Sequence, residues 1–349
     1  MLHKTAWILG VLLALGACSS GQQIARQTEP AKPEFQHDIT GEVTPWTHSN
    51  FDDEKGKFTF ALFSDLTGGE REDVFEVAIA QLNLLRPELI VNVGDLIEGG
   101  TTDRIQLARE WDSFDQRAGR ARAPVIHVGG NHDLTNPVMW EVWEQRYARR
   151  YYHFIYKDTL FLVMDTEDNP PDFQRELSGI RDEALLVVEE QGWDAFDDTG
   201  YGRSTERKSG RVSAEQAAYF RQVIAQNPQV RWTFVLMHKP AWERPGEENF
   251  STVEAALAGR PYTVFYGHVH SYLHEQRFGR DYIRLATTGG VQNAKKEMAI
   301  DHVTLVTVSE EGVDIANIRM SGIFNKTGKI PLNGEDLCFE ILECGEAGN

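Results

Sequence analysis

Six short runs of nearly unbroken apolar residues recur along the chain: FTFALF (58–63), ELIVNVG (88–94), PVIHVGG (124–130), TLFLVM (159–164), WTFVLM (232–237) and YTVFYG (262–267). A strand with one face in water alternates apolar and polar residues. Runs this short and this continuous therefore predict strands covered on both faces. Helix-like segments separate them. EREDVFEVAIAQLNLLRP, between the first two runs, has acids in its first turn, apolar residues at Val74, Ala78, Leu82 and Leu85, and Pro87 to close it. SAEQAAYFRQVIAQNP (213–228) offers Ser213 as an N-cap and Gln216 in the capping-box position. HVTLVTVSEEGVDIANIRM reads as a hairpin turning at Glu311-Gly312. The pattern predicts an α/β sandwich around one core.

The ends of the chain read differently. MLHKTAWILGVLLALGACSS places Lys4 before an apolar run from Ala6 to Leu15, then small residues before Cys18. The run is too short to span a membrane comfortably and reads as a processing signal. Leu15-Gly16-Ala17-Cys18 resembles the bacterial lipobox, whose cysteine is lipidated; the alternative is a plain secretory signal cut at a small residue. Ser19 follows the cysteine, and the resemblance to lipoprotein sorting in Gram-negative bacteria then implies the outer membrane, facing the periplasm. Residues 1–17 are thus the expected signal and 18–56 a Gln-, Pro- and Glu-rich tether. Residues 57–325 are the expected folded domain, with an acidic, Gly-rich insertion at 167–212 and an acidic tail at 326–349. Outside the inner membrane Cys338 and Cys344 are free to bridge; the other reading is two unrelated thiols. The formal net charge of −18 repels nucleic acid backbones, so the only membrane contact expected is through the lipid anchor.

Five of the six runs end in residues of one chemical kind. The first ends in Asp65 and the second in GDLIEGG, with Asp95. The third ends in GNHD, with Asn131, His132 and Asp133. The fifth ends in MHKP, with His238, and the sixth in GHVH, with His268 and His270. Singly, a strand-end aspartate is a turn or a cap. In open α/β sheets, however, ligands bind beyond the carboxyl ends of the strands. Five clusters of oxygen and imidazole donors at that edge point to one site.

In this order the motifs resemble the calcineurin-like metallophosphoesterases, whose pattern runs D-x-H, GD, GNH-D/E, H, GH-x-H; TTGG (287–290) also looks like the family. The resemblance spans roughly residues 58 to 290. It implies a four-layered α/β/β/α sandwich and two divalent or trivalent metal ions. Asp95 would bridge them, with Asn131, His238 and His268 on the second ion and Asp65 and His270 on the first. It also implies His132 as general acid or phosphate-oxygen donor, with Asp133 either orienting His132 or capping a helix. Imidazole and carboxylate donors suit Mn, Fe or Zn better than Mg or Ca. Two such ions about 3.5–4 Å apart bind phosphoryl oxygens and lower the pKa of a shared water, and the resulting hydroxide attacks phosphorus in line.

One position departs from the pattern. Thr67 stands where the family has the histidine of D-x-H, and a hydroxyl is a poor substitute for imidazole. The purple acid phosphatases, a related group, also lack that histidine and use a tyrosine three residues after the GD aspartate. Glu98 occupies that offset here. It is expected either to join the first metal site or to face solvent or bind a backbone amide. The first reading is accordingly a lipid-anchored phosphoesterase cleaving a phosphomonoester or phosphodiester. The alternative is a non-catalytic envelope lipoprotein that keeps the fold and a structural metal for binding. Substrate choice is expected to lie in rim loops such as 167–212, where Arg203, Arg207 and Lys208 either meet a phosphate or form a solvated charged loop.

If Cys18 is lipidated, mass spectrometry of the mature protein will find acyl mass on an N-terminal Cys18, and Cys18→Ala will abolish it. A soluble, unmodified native protein cut elsewhere contradicts the lipobox reading.

Overall fold

The computed structural model describes residue 54 and residues 56–344. The expected signal and Cys18 lie outside the described residues, as does the tether apart from Glu54 and Gly56. Among the described residues no helix is long and apolar enough to cross a membrane.

The chain forms two sheets. β1 (Phe58–Phe63), β2 (Leu89–Asn92) and β3 (Val125–Ile126) run parallel, and β10 (His302–Val308) and β11 (Val313–Arg319) extend the sheet on the other side of β1, in the order β11-β10-β1-β2-β3. The second sheet contains β4 (Tyr152–Tyr156), β5 (Thr159–Val163), β6 (Trp232–Leu236), β7 (Tyr262–Tyr266), β8 (Leu273–Arg277) and β9 (Arg280–Arg284), in the order β4-β5-β6-β7-β9-β8. Its β5, β6, β7 and β9 are mutually parallel.

The unbroken apolar runs have a direct structural meaning. Phe58, Phe60 and Leu62 of β1 face the second sheet, where they meet Phe161, Phe234 and Phe265. The intervening Ala61 and Phe63 face the opposite way, into a core with Phe75, Trp111 and Trp143. Those three come from α1 (Val74–Leu85), α2 (Arg104–Ala118) and α3 (Pro137–Tyr147). On the far side, Leu160, Val235 and Val264 pack on Phe220 and Phe250 of two further helices. The expected single core is therefore divided by the sheets into three, the middle one aromatic. Phe60 meets Phe234 edge to face at 4.8 Å. This is the α/β/β/α sandwich.

Residues 167–212 contain α4 (Pro171–Gln191), a 3₁₀ segment (Trp193–Asp198) and α5 (Gly200–Arg203), with no strand longer than a single bridge at Glu167. α6 (Ala214–Gln226) and α7 (Asn249–Ala256) follow. Ser213 caps α6 as expected, accepting from the Gln216 N–H at 3.1 Å. Gln216 does not close the box. Its side chain turns instead to the Asp165 backbone and the Asp168 carboxylate, and Asp168 takes the Ser213 N–H.

The segment read as an acidic tail brings Ile330 and Phe339 into the core beneath α1, and ends in a Cys338–Cys344 disulfide within α8 (Ile341–Cys344) and its approach. Arg71 fastens this segment to the rest. Its guanidinium donates to both oxygens of the buried Asp301 carboxylate, at 2.7 and 2.6 Å, and to the carbonyls of Gly290 and Cys338.

Removing Arg71 leaves Asp301 buried without its charged partner. Arg71→Ala is expected to lower the unfolding free energy by about 3 kcal/mol, read by urea denaturation; a loss under 1 kcal/mol means that Thr287 and the Gly289 amide hold Asp301 unaided.

Candidate metal centre

β1, β2 and β3 of one sheet and β6 and β7 of the other bring their carboxyl ends to one rim. There the chain leaves β geometry abruptly. Asp65, Asp95, His268 and His270 all adopt positive φ, at 52°, 58°, 74° and 57°. The left-handed region costs a residue with a Cβ roughly 1–2 kcal/mol, and such strain concentrates where surrounding structure enforces it for function. The turns are stitched together. The Asp65 and Leu66 amides donate to the carbonyls of Gly94 and Asp95, at 3.1 and 2.9 Å, and the Thr288 and Gly290 amides donate to the Asp65 carbonyl. Gly94, at φ 100°, allows a close approach, because a Cβ there would lie 2.8 Å from Gly130 Cα and from His238 Nδ1.

The side chains so placed form two donor groups that share one residue. Asp95, His238 and His268 have ligand atoms within 4.8 Å of one another, and so do Asp65, Asp95 and His270. His238 Nε2 is 3.0 Å from Asp95 Oδ2, and His270 Nε2 is 3.3 Å from Asp65 Oδ1. Every imidazole has one nitrogen occupied. His238 Nδ1 donates to the Val93 carbonyl (2.8 Å), His268 Nε2 to Arg207 (2.6 Å), His270 Nδ1 to Val291 (2.6 Å) and His132 Nδ1 to Glu98 (2.8 Å). A backbone carbonyl on one nitrogen leaves the lone pair of neutral imidazole on the other. Metal-binding histidines are oriented in this way.

The electrostatics follow from burial. Burial works against the Asp95 carboxylate, but His238, His132 and His268 around it hold its pKa well below the usual range. Burial also opposes the charged form of His238, and Asp95 outweighs it, pushing the imidazole up to about 9. Burial, Lys239 and His238 together drive His268 well below its ordinary value. Lys239 pairs at 2.8 Å with Glu167, a buried ion pair directly behind the cluster. It follows His238 in MHKP, the only sequence signal it had.

Asp133 and Glu98 both take backbone partners. Asp133 does not orient His132; the Glu98 carbonyl does. Burial and the nearby Asp95 charge raise the Asp133 pKa to about 7. Its two oxygens accept from the amides of Asp95 (2.9 Å), Leu96 (2.8 Å), Ile97 (3.2 Å) and Gly130 (2.8 Å), clamping the GD and GNH turns together. Glu98 belongs to neither donor group. Its carboxylate accepts from the amides of Gly68 (3.2 Å), Gly69 (3.0 Å) and Glu70 (2.9 Å), the backbone-amide alternative weighed above. Thr67 is buried, and its hydroxyl has no hydrogen-bond partner among the described residues. In the 167–212 segment Arg203 and Arg207 pair with Asp198 and Asp197. The Arg207 carbonyl rather than its guanidinium reaches the cluster.

A sequence model described as calcineurin-like phosphoesterase matches residues 58–272. No curated protein matches the chain. Among solved structures, a purple acid phosphatase from yellow lupin seeds aligns with TM-score 0.53 at 11% identity, over 77% of this chain and 52% of that one. A dimetal phosphatase from Danio rerio aligns with TM-score 0.49 at 14% identity, over 75% of this chain and 98% of that one.

Because Glu98 is bound to backbone amides, Glu98→Ala is expected to keep the native metal content by plasma mass spectrometry. Selective loss of one metal in that variant would restore Glu98 as a ligand.

Proposed function

The chain belongs to the calcineurin-like phosphoesterase family, and from that premise we propose that it hydrolyses a phosphomonoester or phosphodiester at the two donor groups joined by Asp95. The observation that carries the reading is the convergence of carboxylate and imidazole ligand atoms into two groups that share Asp95, the atoms of each within 4.8 Å of one another. Asn131 Oδ1 is buried with no hydrogen-bond partner among the described residues, and His238 Nε2 lies 3.0 Å from Asp95 Oδ2. Groups that close without a hydrogen bond fit donors aimed at a common cation. In this reading Asp95 is shared, Asn131, His238 and His268 complete one set, and Asp65 and His270 belong to the other. Carboxylate and neutral imidazole suit Mn, Fe or Zn. When bound, two such ions neutralise phosphoryl charge and make a nearby water acidic enough to act as nucleophile at neutral pH.

The chain's own residues do the rest. Asp133 holds the Asp95 and Gly130 turns, so the Asp95 carboxylate is positioned before any ligand arrives. His132 is held at Nδ1 by the Glu98 carbonyl, which leaves Nε2 on the side of Gly68 and His270. In its charged form, Nε2 carries the proton that a leaving oxygen takes. A structural metal alone needs no such donor, which favours the enzyme over the binding-protein alternative. Lipid anchoring at Cys18 on the periplasmic side of the outer membrane belongs to the same proposal. Its support is the order of basic residue, apolar run and small residues in the leader.

Four variants separate the roles. Asp95→Asn is expected to lose more metal than His268→Ala or His270→Ala, since it serves both sets. His132→Ala is expected to retain metal and slow turnover of aryl and alkyl phosphates by about 10²–10³-fold, most for poor leaving groups. Equal metal loss in Asp95→Asn and His132→Ala would show that these assignments are wrong, and a metal-loaded wild type unable to cleave p-nitrophenyl phosphate would sink the reading.

A further inference from the structure

Three basic residues meet the loop that carries His268 and His270. The Arg207 carbonyl takes the His268 ring, Lys296 Nζ donates to the Val269 carbonyl at 2.8 Å, and Arg284 Nε donates to the Ser271 carbonyl at 2.7 Å. A second Arg284 nitrogen reaches Ser271 Oγ at 3.0 Å. The guanidinium of Arg207 is neutralised by Asp197 and lies over the Phe196 ring. Lys296 and Arg284 have no such partner, for neither forms an ion pair with a carboxylate among the described residues. Glu243 feels the Arg284 charge without closing on it.

Arg181, Arg211, Arg260 and Arg280 are also half-buried without an ion pair among the described residues; Lys296 and Arg284 are set apart by meeting the loop that carries His268 and His270. Both side chains are half-buried, and each retains N–H donors beyond those used on the loop. Burial and the charges of Arg284 and Arg207 hold the Lys296 pKa below its ordinary value, against a smaller opposing pull from Asp65. The segment bearing Lys296 also supplies the Val291 carbonyl that holds His270, so the cations share a frame with the donor cluster.

We infer that Lys296 and Arg284 form a subsite for a second anionic group, a carboxylate or a phosphate, on the phosphoester handled at the adjoining metal centre. The inference rests on the phosphoesterase reading and narrows its substrate to compounds with an anionic group besides the scissile phosphate. An ammonium and a guanidinium with unused donors recognise oxyanions by charge-assisted hydrogen bonds.

Three unreactive ligands test it on the metal-loaded full chain by calorimetry: propylphosphonate, 3-phosphonopropionate and ethane-1,2-diphosphonate. One or both of the ligands with a second anionic group are expected to bind about tenfold or more tightly than propylphosphonate. Preference between them distinguishes a carboxylate from a phosphate as the second group. Lys296→Met and Arg284→Gln, with metal content checked, are each expected to erase most of that margin, while Lys296→Arg retains it. The inference is overturned if the wild type binds all three ligands within twofold. It is equally overturned if the variants weaken all three in proportion, since the residues then act only through the loop. Hydrolysis of p-nitrophenyl phosphate by the wild type, which needs no second anion, separates this failure from failure of the phosphoesterase reading.

Discussion

A carboxylate buried where strand ends from two sheets meet is the constraint on which the rest of this structure depends. Asp95 has almost no exposure, and an unpaired buried charge is costly enough that proteins neutralise or pair it. Here the fold surrounds it. Oδ1 accepts the His132 amide at 2.9 Å and Oδ2 faces His238. Asp133 gathers four amides from the same turns, which removes the donors that would otherwise compete for the shared carboxylate. Positive φ at Asp65, Asp95, His268 and His270 persists because the sheets over-determine where those turns begin.

The imidazoles are aimed by backbone rather than by other side chains. Their four carbonyls come from Val93 and Glu98 after β2, from Arg207 and from Val291, on three separate segments. The 167–212 segment therefore does more than cover a rim. A displacement of Arg207 would free His268 Nε2 and with it the tautomer that leaves Nδ1 for a ligand. The segment is tied to the centre by the Arg207 carbonyl on His268, an acceptor independent of side-chain identity, and by Glu167 and the Glu206 carbonyl on Lys239.

Charge is organised on two scales. The whole chain is strongly negative, which disfavours polyanions at long range. The His268–Ser271 loop has Asp65 on the side of the donor cluster and Lys296 and Arg284 on its Val269 and Ser271 carbonyls. An anionic small molecule meets a favourable field only at short distance, where Lys296 and Arg284 stand.

The sequence by itself determined the strands covered on both faces and the residue types at their ends. Burial of alternate side chains against two different cores leaves a continuous apolar run, and a strand end leaves a polar residue at a definite position. It did not reveal β4, β8 and β9, which were absent from the sequence reading. β8, LHEQR, is a half-exposed edge strand held by its pairing with β9 rather than by apolar burial. Nor did it reveal what Glu98 and Asp133 bind. An offset of three from Asp95 suggested a ligand, and adjacency to His132 suggested an orienting partner. Both carboxylates instead took backbone amides, most of them from segments distant in sequence. Only the tertiary structure decided this, because every non-proline residue offers the same amide and carbonyl, and which of them lie within reach depends on how the turns pack.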